Sequence, residues 1–247
     1  MNYELGLRGE LDNVLALNPD VVLLATGASM LPPEFLPEEY IEEGFVPDLR
    51  ELMLSMLGRN TQESGRILIL DRDHTEMTYA AAERLTELFE HVTIVTPRDR
   101  IASDCSLINR QEIYQRLYDR NVDLITSCDL VDVDGLEDAQ LNAVNVYNGA
   151  VTVVPDIAAI TYSTARVPCD ELRAPLADKG IEVQTIGDCH APRSVLASTR
   201  QGYQVGNALR ADAGPRALAT AVRSRFFGRS GLECPRGRWR QSLPDAG

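Results

Sequence analysis

The chain has 247 residues, 24 Lys plus Arg against 37 Asp plus Glu, a formal charge of -13 and 44% hydrophobic residues, a composition that suits a globular protein with a buried core and excludes collagen-like, coiled-coil and disordered chains. The acidic balance argues against tracking a phosphate backbone, so no nucleic-acid partner is expected. No window reaches the ~18 apolar residues of a membrane span, and Glu4, Glu10 and Asp12 interrupt the start where a signal peptide would be apolar, so the expectation is a cytoplasmic chain without a membrane partner.

In chain order, short continuous apolar runs alternate with amphipathic stretches, as in a parallel sheet covered on both faces. A strand is predicted over 21–25. Residues 31–47, with four prolines and five glutamates, read as a linker between two lobes. A helix over 49–57 follows, then a strand over 67–70 and a helix over 75–89 that carries Met77, Ala80, Ala81, Leu85 and Leu88 on its apolar face. Strands over 92–95 and 122–126 flank a helix over 110–120. Strands over 144–147, 151–154 and 157–162 suggest an antiparallel section near 130–155, and a strand over 183–186 leads to a helix over 194–209. A short helix is expected over 216–227. From Gly214 onward there are seven arginines and two acids, so the segment 213–247 reads as a basic tail, either solvated or docked on an acidic partner.

The stretch 66–96 has the outline of a dinucleotide-binding βαβ unit without its turn chemistry. A glycine-rich turn lets the backbone approach a pyrophosphate and aims helix N–H groups at it. Here the turn reads Asp71-Arg72-Asp73-His74-Thr75-Glu76-Met77, with no glycine and three carboxylates, and negative charge there repels a pyrophosphate. Ordinary NAD(P)H binding is therefore doubtful, although Arg98 and Arg100 lie where a 2′-phosphate would be met. Asp71, Asp73, His74 and Glu76 suit either a metal cluster or a side-chain helix cap, and the cap asks for less; no metal site is assigned. Cys105, Cys128, Cys169, Cys189 and Cys234 are dispersed and never form a C-x-x-C pair, so no zinc, iron-sulfur or disulfide framework follows. His190 is either an acid-base group or a loop histidine with nothing to orient it. Cys189 beside it is either a reactive thiol or packing beneath a ligand. No catalytic residue is named.

Two motifs at opposite ends of the chain fit together: Ala25-Thr26-Gly27 closing the first strand, and Gly187-Asp188-Cys189-His190-Ala191-Pro192-Arg193 before the last predicted helix, which contains Gly202. With Ile67-Leu68-Ile69-Leu70 and Val92-Thr93-Ile94-Val95-Thr96-Pro97, this pattern resembles the C-terminal nucleotide-binding half of the trimethylamine dehydrogenase and 2,4-dienoyl-CoA reductase-like NADH:flavin oxidoreductases. The turn that lacks glycine points to their amine dehydrogenase and N-methylproline or stachydrine demethylase side.

The resemblance implies an α/β fold in which a degenerate NAD(P)-type Rossmann domain, residues 48–150, is inserted in a partial FAD-type domain, residues 1–30 and 151–212. It implies that Ala25, Thr26, Gly27, Gly187, Asp188, Cys189, Ala191 and Pro192 hold FAD or an ADP-like nucleotide, Gly by close backbone approach and Asp by accepting from hydroxyls. It also implies that FMN, the iron-sulfur cluster, the glycine loop and the barrel lie on a partner: a larger oxidoreductase subunit, with a homo-oligomer as the other arrangement. The expected role is the electron-transfer side of an amine-oxidising or N-demethylating flavoenzyme; the alternatives are a non-catalytic adenine-nucleotide scaffold and a self-sufficient FAD/NAD(P)H reductase.

Overall fold

The computed structural model describes residues 3–212 and 219–221. In chain order the elements are α1 (Leu11–Ala16), β1 (Val21–Leu24), β2 (Ala28–Met30), α2 (Glu38–Glu42), α3 (Leu49–Ser55), β3 (Glu63–Asp71), α4 (Glu76–Leu85) and β4 (Phe89–Val95). Then come α5 (Leu107–Asp119), β5 (Asp123–Ile125), β6 (Cys128–Leu130), β7 (Leu141–Asn145), β8 (Val151–Val154), β9 (Ile157–Ser163) and β10 (Arg166–Pro168). Helix α6 (Arg173–Asp178), β11 (Glu182–Thr185), α7 (Val195–Asp212) and β12 (Ala219–Ala221) complete the order. The described residues fall into two compact units, one formed by the chain up to Ser29 and from Arg166, the other by Met30–Ala165.

The Met30–Ala165 unit is built on a parallel sheet of order β5-β4-β3-β9. Alternation along β3 sends Ile67 and Ile69 into a core with Tyr79, Leu85, Ile94, Ile113 and Leu117. Leu68 and Leu70 go to the opposite core with Val95, Leu130, Leu141, Val154 and Tyr162. The second core is closed by the antiparallel sheet β6-β7-β8, the antiparallel section anticipated near 130–155. Strand β3 starts four residues before the predicted one because the apolar run marked only its buried part; its first residues are exposed, and a register shift lies between Glu63 and Arg66.

Three expectations are corrected in this unit. The stretch 31–47 is not a linker: it contains α2, and Leu36 and Val46 are buried in the second core with Phe35, Tyr40, Ile41 and Phe45 against it. The prolines set its corners while its aromatic and aliphatic side chains supply apolar area to bury. The buried face of α4 is Thr78, Tyr79, Ala81, Ala82 and Leu85, with Ala80 exposed; Tyr79 goes inward because its hydroxyl has a buried acceptor, described below. Finally, β8 and β9, assigned from sequence to the FAD-type part through the 150 boundary, belong to this unit, β9 pairing with β3 along Ile67 to Asp71.

The other unit is smaller. Its parallel sheet has the order β11-β1-β12, and its core consists of Val14, Val22, Leu24, Leu176 and Cys189. The helix expected over 216–227 is overturned where it is described: residues Ala219–Ala221 form a strand on β1. The open edge of a buried strand needs partners for its N–H and C=O groups, and that demand outweighs the helix preference of alanine. The rest of the basic tail, including Trp239, lies outside the described residues.

Candidate functional site

The parallel pairing Val21↔Glu182 to Leu24↔Thr185 sets the carboxyl ends of β1 and β11 side by side, and Ile186 N–H donates to Leu24 O at 2.9 Å just beyond them. The two motifs from opposite ends of the sequence therefore meet at one sheet end. Ligands of open α/β sheets bind at carboxyl ends of strands. Gly27 has φ +78° and Gly187 φ +63°, left-handed conformations that glycine adopts without the penalty a Cβ brings. A Cβ on Gly187 would lie 3.5 Å from Ser198, an ordinary contact, so it is the backbone conformation that demands glycine there.

The remaining predicted residues play unequal parts. Thr26 is buried; its hydroxyl bonds to Cys169 O and lies 3.0 Å from Cys189 Sγ. Cys169 N–H in turn donates to Gly27 O at 2.9 Å, and Ser29 Oγ meets Cys169 Sγ at 3.2 Å. Thr26 and Cys189 thus hold the strand ends together from beneath. Residues Gly187–Cys189 form one 3-10 turn, over which His190 N–H and Ala191 N–H donate to Gly187 O at 3.0 and 3.1 Å. His190 is exposed, with Nδ1 3.2 Å from Thr185 Oγ1. Ala191 and Pro192 are half-buried at the turn's exit.

Asp188 has partners that the sequence did not announce. Arg166 Nη1 donates to its Oδ2 at 2.8 Å, and Arg193 N–H approaches Oδ1 at 3.3 Å. Arg166 Nη2 also reaches Arg193 O at 3.3 Å, so Arg166 ties strand β10 to the loop that carries Asp188. Gly187 N–H donates to Gln201 Oε1 on α7 at 2.9 Å. Neither Arg166 nor Gln201 belongs to a recognisable motif, and only the fold brings them to the site.

The corresponding strand ends of the Met30–Ala165 unit are closed by side chains. In the order β5-β4-β3-β9 the chain runs outward from β3 through β4 to β5 and returns to the far side of β3 as β9, which places the topological switch point between β3 and β9. There Arg72 N–H and Asp73 N–H donate to Ser163 O at 2.8 and 3.0 Å, and Thr78 Oγ1 lies 2.7 Å from Ser163 Oγ. Asp71 and His74 are both fully buried. Asp71 accepts from His74 N–H at 2.9 Å and from Tyr79 O–H at 2.6 Å, and the Tyr79 oxygen accepts from Ala102 N–H at 2.5 Å. His74 takes φ +57°, with Nδ1 3.6 Å from Asp71 Oδ2 and Nε2 3.4 Å from Thr96 Oγ1.

Asp71 therefore ties the turn rather than capping α4, whose N-cap Thr75 has no side-chain cap bond. Burial raises the Asp71 pKa against the opposing pull of His74 and the Tyr79 hydroxyl. Burial lowers that of His74, and burial beside Asp71 raises that of Tyr79. Outside this knot, Arg72 pairs with Asp129 at 2.8 Å, while Arg98 and Arg100 pair with Asp104 and Asp99 at 3.3 and 3.2 Å. Among the described residues no three or more His, Cys, Asp or Glu side chains gather as a metal site, and no helix is long and apolar enough to cross a membrane.

No family model matches the sequence. The chain is 25% identical over 213 residues to the bilirubin reductase of Mediterraneibacter gnavus, covering 85% of this chain and 30% of that protein. Its fold is similar to histamine dehydrogenase from Rhizobium sp. 4-9, with TM-score 0.66 and 19% identity over 86% of this chain and 34% of that one. It is also similar to thioredoxin reductase of Lactococcus lactis, with TM-score 0.60 and 18% identity over 78% and 65% of the two chains. The class is thus a two-dinucleotide-domain flavoprotein fold, with an NAD(P)-type Rossmann unit inserted in a partial FAD-type unit. Within that class the chain resembles in fold the C-terminal FAD/NAD half of the trimethylamine dehydrogenase and 2,4-dienoyl-CoA reductase-like proteins. It spans about a third of the length of the bilirubin reductase and the histamine dehydrogenase.

Proposed function

We propose that this chain is the nucleotide-binding, electron-transfer-side part of an amine-oxidising or N-demethylating flavin-dependent oxidoreductase, acting as a subunit or split fragment beside a barrel-bearing partner. The observation that carries the reading is the meeting of Ala25-Thr26-Gly27 and Gly187-Asp188 at adjacent parallel strand ends, with both glycines in the left-handed region. Such an end offers close backbone approach and a carboxylate acceptor, which fits the pyrophosphate and hydroxyl-bearing chain of FAD or an ADP-like nucleotide. Ala25, Ala191 and Pro192 border that approach, and Thr26 with Cys189 fixes it from below. A bound flavin would supply the redox chemistry, and the residues named here would position it.

NAD(P)H has no place at the sealed β3 turn on this reading. The partner would carry the FMN, the iron-sulfur cluster, the barrel and the glycine loop. The reading is supported by the exposure in the smaller unit of Tyr3, Leu5, Leu7, Val195, Leu196 and Tyr203, apolar surface of the kind that partners cover, beside a core of five among its described residues. A non-catalytic nucleotide scaffold is the second reading, favoured by the closure around Asp71 and His74.

The test is the visible absorbance spectrum of the chain purified from its native host, with released nucleotide identified by mass and co-purifying chains identified. A larger flavoprotein accompanying the chain is the expected result. A chain that carries its own FAD, is bleached by NAD(P)H and has no companion would instead establish a self-sufficient reductase.

A further inference from the structure

The nucleotide site contains an internal competitor. Asp188 is the carboxylate that the proposed function assigns to ligand hydroxyls, yet its Oδ2 already accepts from Arg166 Nη1 at 2.8 Å, with Arg193 N–H 3.3 Å from Oδ1. The pair is sheltered: the Arg166 side chain is 12% exposed and that of Asp188 26%. A guanidinium held against a carboxylate in this setting is a strong charge-assisted donor, whereas a sugar hydroxyl is a neutral one. A ribose or ribityl hydroxyl that approaches Oδ2 therefore meets an acceptor whose charge is already engaged by Arg166.

We infer that Arg166 sets ligand affinity and specificity at this site by occupying Asp188, so that binding of a hydroxyl-bearing nucleotide exchanges the Arg166–Asp188 pair for an Asp188–hydroxyl hydrogen bond. This rests on the reading of the strand-end site as a nucleotide site. Arg166 is tied both to Asp188 and to Arg193 O, so its release also frees the loop that follows the Gly187–Cys189 turn. Arg166 is a positioning residue in the free chain, and its exchange disfavours ligands that bring no hydroxyl to replace it.

The experiment is titration calorimetry of the full chain with FAD and with ADP, for the natural protein, Arg166→Gln, Arg166→Lys and Asp188→Asn, with thermal melting of each variant to establish that it folds. Arg166→Gln is expected to bind FAD about three- to tenfold more tightly, the range that release of a partly sheltered ion pair allows. Arg166→Lys, which keeps the charge but loses the planar fork, should fall between the two. Asp188→Asn should bind more weakly than the natural chain. Unchanged affinity in a folded Arg166→Gln overturns the inference and leaves the nucleotide site standing; weaker affinity does the same and makes Arg166 a direct ligand contact. If Arg166→Gln fails to fold, Arg166→Lys decides, and affinity no tighter than that of the natural chain overturns the inference. Failure of every folded variant and of the natural chain to bind FAD or ADP overturns both the inference and the proposed site.

Discussion

The chain contains two parallel-sheet ends of the same architectural kind, finished in opposite ways. At β1 and β11 the backbone turns away through two left-handed glycines, Gly27 and Gly187, and the neighbouring Asp188 carboxylate is paired with Arg166. At β3, β4 and β9 the turn is filled by a buried histidine in the left-handed region and tied by Asp71, Tyr79 and Ser163. On the proposed reading, a Rossmann-like sheet alone does not make a nucleotide site. The turn decides, because close approach of a pyrophosphate needs backbone without side chains in front of it.

The largest effect is expected from breaking the seal. Asp71→Ala leaves the buried His74 N–H and Tyr79 O–H without their acceptor and should lower unfolding free energy by about 3 kcal/mol in urea titration. A loss of a few tenths would show that the knot does not hold the turn. Next comes Gly65→Ala at the β3 bulge. Gly65 has φ +93°, and an added Cβ would sit 3.0 Å from both Ala158 Cβ and Asp156 O, so strain and crowding together should cost about 2 kcal/mol. Gly187→Ala shares the left-handed strain but meets only an ordinary 3.5 Å contact; its cost should be smaller, about 1 kcal/mol, in the same titration.

The smallest effect in this series is the pH dependence of the seal. The folded-state pKa of His74 is lowered from an ordinary value of 6.5, first by burial. Its contribution to stability is present in full above about 6.5 and is lost as the pH falls from there through the lower folded value, because only the unfolded chain binds the proton readily. Asp71 has a raised folded pKa, so its contribution has the opposite sign and is lost as the pH rises through that value. Comparing the melting-temperature profile of the natural chain with that of His74→Gln isolates the histidine: the variant should lose less stability between neutral and mildly acidic pH. Parallel profiles would remove His74 from the account.

The alternation of apolar runs and amphipathic stretches was enough to predict the parallel sheets, because period and burial are local properties. It did not reveal that 31–47 is core, since the prolines and glutamates concealed Leu36 and Val46, or that 219–221 would pair with β1, a demand created by a strand almost two hundred residues away. At the site, glycine and aspartate carried a legible signal; Arg166, Cys169 and Gln201 did not, because arginine, cysteine and glutamine become site residues only through their neighbours. The acidic turn at Asp71 to Glu76 stood out in the sequence, but the inward path of Asp71 and His74 depended on Tyr79 offering its hydroxyl from the next helix.

The comparison between the two sheet ends is tested most directly by thermal melting of the full chain with FAD, with ADP and with NADH, beside the Asp188→Asn variant. The account predicts that FAD or ADP raises the melting temperature of the natural chain, that Asp188→Asn diminishes the rise, and that any rise with NADH, which shares the ADP moiety, is diminished in the same variant. Stabilisation by NADH that persists in Asp188→Asn, with none by FAD or ADP, would place the nucleotide at the β3 turn and contradict it.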